Sequence, residues 1–182
     1  MDKNNIILGS GNLYIAAYSS ETGIPADAVI ESEANSMGRI QGGATLEYKP
    51  STYEVKDDTQ YVVKRFIQSE EVSFKSGVLT WDMANLEKLA GACTKTTDNS
   101  TNKTTIKVGG RGSNGLTPYV IRFVHKDDVK ELRITLVGTA ANGFSLAFNP
   151  DKETVVDAEF SAMSSDDDGT LVIVEETPVS GS

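Results

Sequence analysis

Residues 59–76, TQYVVKRFIQSEEVSFKS, constrain the fold more than any other part of the chain. They form one long extended segment, rich in Val, Phe, Ile and Tyr, with charges set between the apolar groups. Residues of these types favour a pleated, half-buried surface. The segment runs into one short helix candidate, then a Thr- and Asn-rich stretch, then more strands. Chemical equipment is sparse: one His, one Cys and no clustered metal ligands. That profile points to a protein that assembles rather than one that catalyses.

Strand signal recurs along the rest of the chain. Residues 5–18 place Leu13, Ile15 and Ala17 on one face. Residues 19–36 are irregular and acidic, broken by Gly23 and Pro25. Residues 37–49 read as a strand in which Gly42-Gly43 marks a bulge or a close backbone approach. Pro50 and Asp57-Asp58 punctuate the connection to 59–76, and the two strands make a hairpin. A helix follows, with Asp82 placed to accept its first free N–H groups and Gly91 to close it. Met83, Leu86, Leu89 and Ala90 share a face that covers an apolar sheet, and Trp81 packs against Leu86 or the sheet, with an aromatic anchor in a protein interface as the alternative.

After a loop at 94–103, five strands are expected, at 103–108, 118–126, 130–138, 154–163 and 170–176. In the second, Tyr119, Ile121, Phe123 and His125 alternate with Val120, Arg122, Val124 and Lys126, so both faces carry apolar groups and the strand is central. Asp127-Asp128 and residues 166–169 read as hairpin turns, and residues 177–182 as a flexible tail. Strands do not alternate with helices, so no parallel α/β sheet is expected. The expectation is a single, mainly β domain: an antiparallel β-sandwich or barrel with one short flanking α-helix.

At 182 residues the chain is long enough for a substantial core. Its net charge of −9 disfavours binding to nucleic acid, although DNA passing nearby without sticking is compatible with it. No run approaches the roughly 20 apolar residues of a membrane span, and the N-terminal residues lack a signal-peptide pattern, so the chain reads as cytosolic when made. With Cys93 alone there is no internal disulfide. The sequons at Asn99 and Asn102 then read as chance in a Thr/Asn-rich stretch.

The remaining candidate motifs have ordinary readings. Residues 110–115 match G-x-G-x-x-G, but Leu116-Thr117-Pro118 leads into a strand, not the helix a dinucleotide site needs. Asp166, Asp167 and Asp168 lack Ca²⁺-loop spacing and read as an acidic turn. His125 is read as a solvent-edge residue without a nucleophile in reach, and Cys93 as a small buried or half-buried residue. No cofactor, metal or catalytic residue is assigned.

Several whole segments together carry a resemblance. YVVKRFIQSEEVSFKSGVLTWDMANLEKLAG is similar to the long hairpin strand, Ser-Gly-x-Leu-Thr-Trp junction and short helix of bacteriophage tail tube (major tail) proteins. RFVHKDD, LRITLVG, NGFSLAFNPDKETVVDAEFSA and DDDGTLVIVEE resemble that family's C-terminal half. The likeness covers most of residues 37–176. It implies a β-sandwich with a flanking helix, of which six copies close into a ring around a lumen. Rings stack into a hollow tube that conducts DNA, or an effector in related contractile injection and type VI secretion machines. It also implies as partners further copies of the chain, a tape-measure protein, a tail terminator, baseplate or tail-tip proteins and, in some machines, a contractile sheath. The place implied is a virion tail, or a bacteriocin-like particle, assembled in the bacterial host cytoplasm.

On that reading the hairpins at 37–75 and 119–138 carry assembly. Glu47, Lys49, Lys64, Gln68, Glu70, Arg133 and Thr135 are the expected lumen-facing positions, because polar groups face a wet channel. Tyr53, Asp57 and Asp58, in a loop at 50–60, are the expected ring-to-ring contacts, with Trp81, Leu86 and Leu89 packing the helix. A slip of one residue in a strand would exchange its two faces. Six copies at −9 carry −54, which would repel DNA phosphates from the wall. The alternatives are a β-sandwich ligand- or carbohydrate-binding module, which normally presents a row of exposed aromatics, and an enzyme on a β-scaffold.

Overall fold

Period-two alternation becomes nine strands in the computed structural model, which describes residues 10–79, 82–90, 93–110, 116–140, 143–146, 148 and 150–179. They are β1 (Asn12–Ala17), β2 (Ile40–Lys56), β3 (Val62–Val78), β4 (Cys93–Asp98), β5 (Lys103–Val108), β6 (Tyr119–Lys126), β7 (Lys130–Thr139), β8 (Val156–Met163) and β9 (Ile173–Pro178). Helix α1 (Asp27–Ile30) is a single turn, followed by a 3-10 turn at Glu33–Asn35, and α2 (Met83–Leu89) is the flanking helix. Seven strands make one antiparallel sheet in the order β1-β6-β7-β8-β3-β2, with β9 also paired to β7. Strands β4 and β5 form a separate two-stranded ribbon. The fold is mainly β and antiparallel, with a barrel-like or sandwich-like character.

The sheet is two-sided. Its inner face carries the main core: Leu13, Ile15, Phe74, Ile121, Leu136 and Phe160 are all buried. Phe74 and Phe123 meet with ring centroids 6.0 Å apart, within the range of favourable tilted aromatic pairs. Helix α2 lies over this face. Asp82 caps it, accepting from the Asn85 amide at 2.7 Å, and Leu86 and Leu89 are buried as the apolar spacing predicts. Lys88 lays its stem across the same layer and donates to the Ile15 carbonyl at 2.9 Å. Met83 departs from expectation: in the first turn, it is largely exposed. Trp81 and Gly91 lie outside the described residues.

The second face is apolar only over β1, β6 and β7. There Ala16, Val120 and Val137 form a small cluster with Ile30 of α1. The irregular stretch at 19–36 is therefore a strap across this face, with two single helical turns in it. Strand β6 is central, between β1 and β7, as its two apolar faces predict.

Other boundaries differ from expectation for identifiable reasons. Residues 94–103 are not a loop: Thr-rich strands suit a ribbon, and only the turn between β4 and β5 is irregular. Residues 166–169 do turn, with Asp166 accepting from the Thr170 amide at 2.8 Å, but they do not join a hairpin. Strands β8 and β9 both pair with β7, which divides one edge between them. Thr177 and Pro178 belong to β9, and the Val179 amide donates to Val129 at 2.8 Å, so the expected tail is anchored that far. Residues 5–9 of the first expected strand, and 180–182, are outside the described residues.

Candidate assembly interface

The β2–β3 hairpin is much longer than the sheet it belongs to. Strand β8 pairs with β3 only from Ser73 to Val78. Beyond that point no described strand other than β2 lies beside residues 62–72 of β3, and none lies along the outer edge of β2. Every residue from 55 to 71 is exposed. The distal hairpin is thus a two-stranded ribbon with two open edges and two wet faces. Such a ribbon is marginal alone in water, and open edges template pairing with other chains.

Its side chains are not those of a solvated arm. Tyr53, Tyr61, Val63 and Ile67 are 60%, 74%, 67% and 61% exposed, and Phe66 is 47% exposed. Spread over the two faces of the ribbon, with Tyr53 and Phe66 on one and Ile67 on the other, they present on the order of several hundred Å² of apolar surface in all. Lys64 sits 4.6 Å above the Phe66 ring, and Arg65 pairs with Glu54 at 2.8 Å on the other side.

Register explains which groups share a side. Two bulges matter. Gly42 and Gly43, at φ of 81° and 75°, interrupt β2 at the base of the hairpin, as the sequence suggests. Farther out, Ser51 pairs with Ser69 but Thr52 pairs with Ile67, which leaves Gln68 as an extra residue. Past Gln68 the alternation of β3 therefore changes phase. Lys64 falls on the side of Glu47 and Lys49, whereas Glu70 falls on the opposite side. There its carboxylate accepts from the Tyr48 hydroxyl at 2.6 Å and raises the pKa of that phenol.

The seven positions expected to line a lumen are therefore not one surface. Glu47 and Lys49 do lie on an open polar face, with Glu71, Ser73, Lys75 and Glu159 as neighbours around a shallow groove of about 420 Å³. Lys75 and Glu159 pair across it at 2.9 Å, and this contact raises the pKa of the lysine, with the Glu159 hydrogen bond as the main cause. Arg133 and Thr135 belong to the same sheet face, but under the strap. Thr135 is 1% exposed, and Arg133 is held by Glu31 and Glu131 at 2.7 and 2.6 Å. Thr135 is buried and Arg133 is only partly exposed, because residues 19–36 pack over that half of the sheet.

The expected ring-to-ring loop also changes form. Residues 50–56 continue β2, and only the tip is a turn. Pro50, which lacks a donor, is tolerated because β2 is an edge strand. Tyr53 is on the ribbon. Asp57 builds the tip: its carboxylate accepts from the Thr59 hydroxyl at 2.7 Å and from the Thr59 and Tyr61 amides at 2.9 Å. The Thr59 hydroxyl, first, and the Tyr61 amide hold that carboxyl below its ordinary pKa. Asp58 is exposed.

Two buried groups were not legible as such. His125 is 5% exposed, not at a wet edge. Its Nδ1 lies 2.6 Å from the Ser10 carbonyl; a carbonyl only accepts, so Nδ1 carries the proton. Arg122 is buried beneath the strap, paired with Asp27 at 2.9 Å and Glu31 at 3.0 Å. Among the described residues no three His, Cys, Asp or Glu side chains are grouped to hold a metal ion. Burial and the nearby Glu87 push the Cys93 thiol up. Within 110–115, only Gly110 is described; residues 116–118 do lead into a strand. Comparison with protein-family models and with curated proteins found no match for the chain.

Proposed function

We propose that the chain is a structural subunit that polymerises into a hollow tube of the phage tail type, with its β2–β3 ribbon as the principal contact between copies. The observation that carries this reading is the distal ribbon: a run of exposed residues from 55 to 71, with open edges and apolar side chains, that none of the described residues covers. Closure with neighbouring copies removes free edges and buries the patch. The resemblance of whole segments to tail tube proteins supports the same reading. The polar face around Glu47, Lys49, Lys75 and Glu159 replaces the mixed set read from sequence as the candidate channel wall, and six copies per ring remain the expectation from the resemblance. DNA would pass such a wall without specific binding.

Negative-stain electron microscopy beside light-scattering mass tests this, with the wild-type chain and the variant Tyr53→Ser/Phe66→Ser. Rings or tubes with a central hole from the wild type, and monomers from the variant, are expected. A wild-type chain that stays monomeric at high concentration, and also when assembled tail tips are added as initiators, overturns the reading and leaves a binding module as the alternative.

A further inference from the structure

The strap at residues 19–36 is attached to the sheet in an unusual way. Its regular structure is one α-turn and one 3-10 turn, and neither has a side-chain N-cap. Isolated turns of that length do not persist in water. Along the strap only Ile30 is fully buried, against Ala16, Val120 and Val137. Ile24 packs half-buried against the same cluster and Ser36 bridges to Tyr14 of β1; the side-chain hydrogen bonds that hold the strap to β6 and β7 are ionic. Glu31 accepts from Arg122 Nη1 at 3.0 Å and from Arg133 Nε at 2.7 Å, and Asp27 accepts from the same Arg122 nitrogen at 2.9 Å. One carboxylate thus ties the strap to two adjacent strands.

The seam beneath is incompletely satisfied. Arg122 and Thr135 are direct cross-strand partners, and Arg122 Nε and Thr135 Oγ1 are both buried with no hydrogen-bond partner among the described residues. An unpaired buried polar group opposes closure. The two ends of the strap are firmer. The Gly23 amide donates to Ser19 at 2.9 Å, and the Met37 amide donates to the Leu13 carbonyl of β1 at 2.8 Å. Gly23 at φ 68° and the following Pro25 give the first end a defined bend.

We infer that residues 19–36 form a detachable strap that opens as a unit while the sheet stays folded, with Glu31 as its latch. Opening lets water reach Arg122 Nε and Thr135 Oγ1 and bares a face on which two arginines flank the apolar patch of Ala16, Val120 and Val137. Glu131 stays paired with Arg133 at 2.6 Å, so what opening adds on this chain of net charge −9 is the buried Arg122 cation, released from Asp27 and Glu31. The fold thus contains a concealed face, gated by one carboxylate. Local opening of this kind draws on segments with few buried contacts.

Native-state hydrogen exchange in low guanidinium, resolved by residue, tests it. In the wild type the amides of Ile30, Glu31 and Ser36 should exchange through an opening with weaker denaturant dependence than the amides of β6 and β7. In Glu31→Gln, which keeps the shape and removes the charge, the strap amides should exchange about tenfold faster or more, with β6 and β7 unchanged. Ile30→Ala serves as a second variant and should accelerate the same amides. Merging of strap and sheet amides onto one opening with one denaturant dependence in the wild type overturns the inference, as does a Glu31→Gln variant that speeds both regions equally.

Discussion

The proximal and distal halves of the β2–β3 hairpin share two strands, one antiparallel register and much the same residue types, and differ in what lies against them. Near the base, Phe74 is fully buried, with Phe160 opposite it on β8 and Phe123 across the core. Eight residues earlier, Phe66 is almost half exposed on a ribbon that no third described strand joins. Strand formation is thus decided locally, whereas burial is decided by the third partner, β8, which stops at Ser73. Gln68 adds a second difference. Phe66 and Phe74 would share a side in an unbroken strand, and the bulge separates them.

The largest expected break in this comparison is Phe74→Ala, which should cost about 3–5 kcal/mol of stability by removing a fully buried aromatic, read by chemical denaturation. Gly77→Ala comes next. A Cβ there would lie 2.6 Å from the Gln41 carbonyl oxygen and 2.9 Å from Val155 Cγ1, so the base of the hairpin must shift, with a loss of about 1–3 kcal/mol. Phe66→Ser should change monomer stability by no more than about 0.5 kcal/mol, yet reduce polymer in sedimentation assays. A large loss of monomer stability in Phe66→Ser would erase the proposed distinction between the halves.

The smallest effect sharpens the comparison at the ribbon tips. Asp98 organises the β4–β5 turn as Asp57 does the β2–β3 tip. The Ser100 hydroxyl, first, and then backbone amides hold Asp98 at about 2. A carboxyl lowered on folding stabilises above its unfolded value, near 3.9, and that contribution fades as pH falls through the folded value. The Ser100 and Thr101 amides should therefore exchange faster as pH drops from 4 towards 2, once intrinsic exchange rates are divided out, while β6 and β7 amides hold. The Asp57 tip should respond in the same direction, read at the Thr59 and Tyr61 amides.

Much of the fold was legible. Period-two alternation located the strands other than β4, whose Thr-rich residues read as loop, the two-faced pattern of 119–126 placed β6 centrally, and Asp82 with Leu86 and Leu89 gave the helix. The candidate interface was legible as a hairpin but not as surfaces. A single unpaired Gln68 reverses the parity on which face assignment rests, and nothing in SEEVSF announces it. Arg133 and Thr135 were placed in water because they alternate with Leu132, Ile134 and Leu136. Arg133 is instead held by Glu31, about a hundred residues away in sequence, and local pattern does not carry that contact. A signal did exist at Arg122, since Val120 and Val124 flank it on its own side of β6. The burial of His125 depends on Ser10, equally distant in the chain.

The projecting ribbon also has a hydrodynamic consequence. Residues 48–56 of β2 and 62–72 of β3, which reach past β8, extend roughly 30 Å, against a radius of gyration of about 16 Å for a compact chain of this length. That arm adds drag while adding almost no mass. A single copy should therefore migrate through a sizing column ahead of compact 19.5 kDa standards, in the region where a small dimer would elute. Elution volume alone would report association where there is only shape, so scattered-light mass is the observable that separates a long monomer from the first step of a polymer.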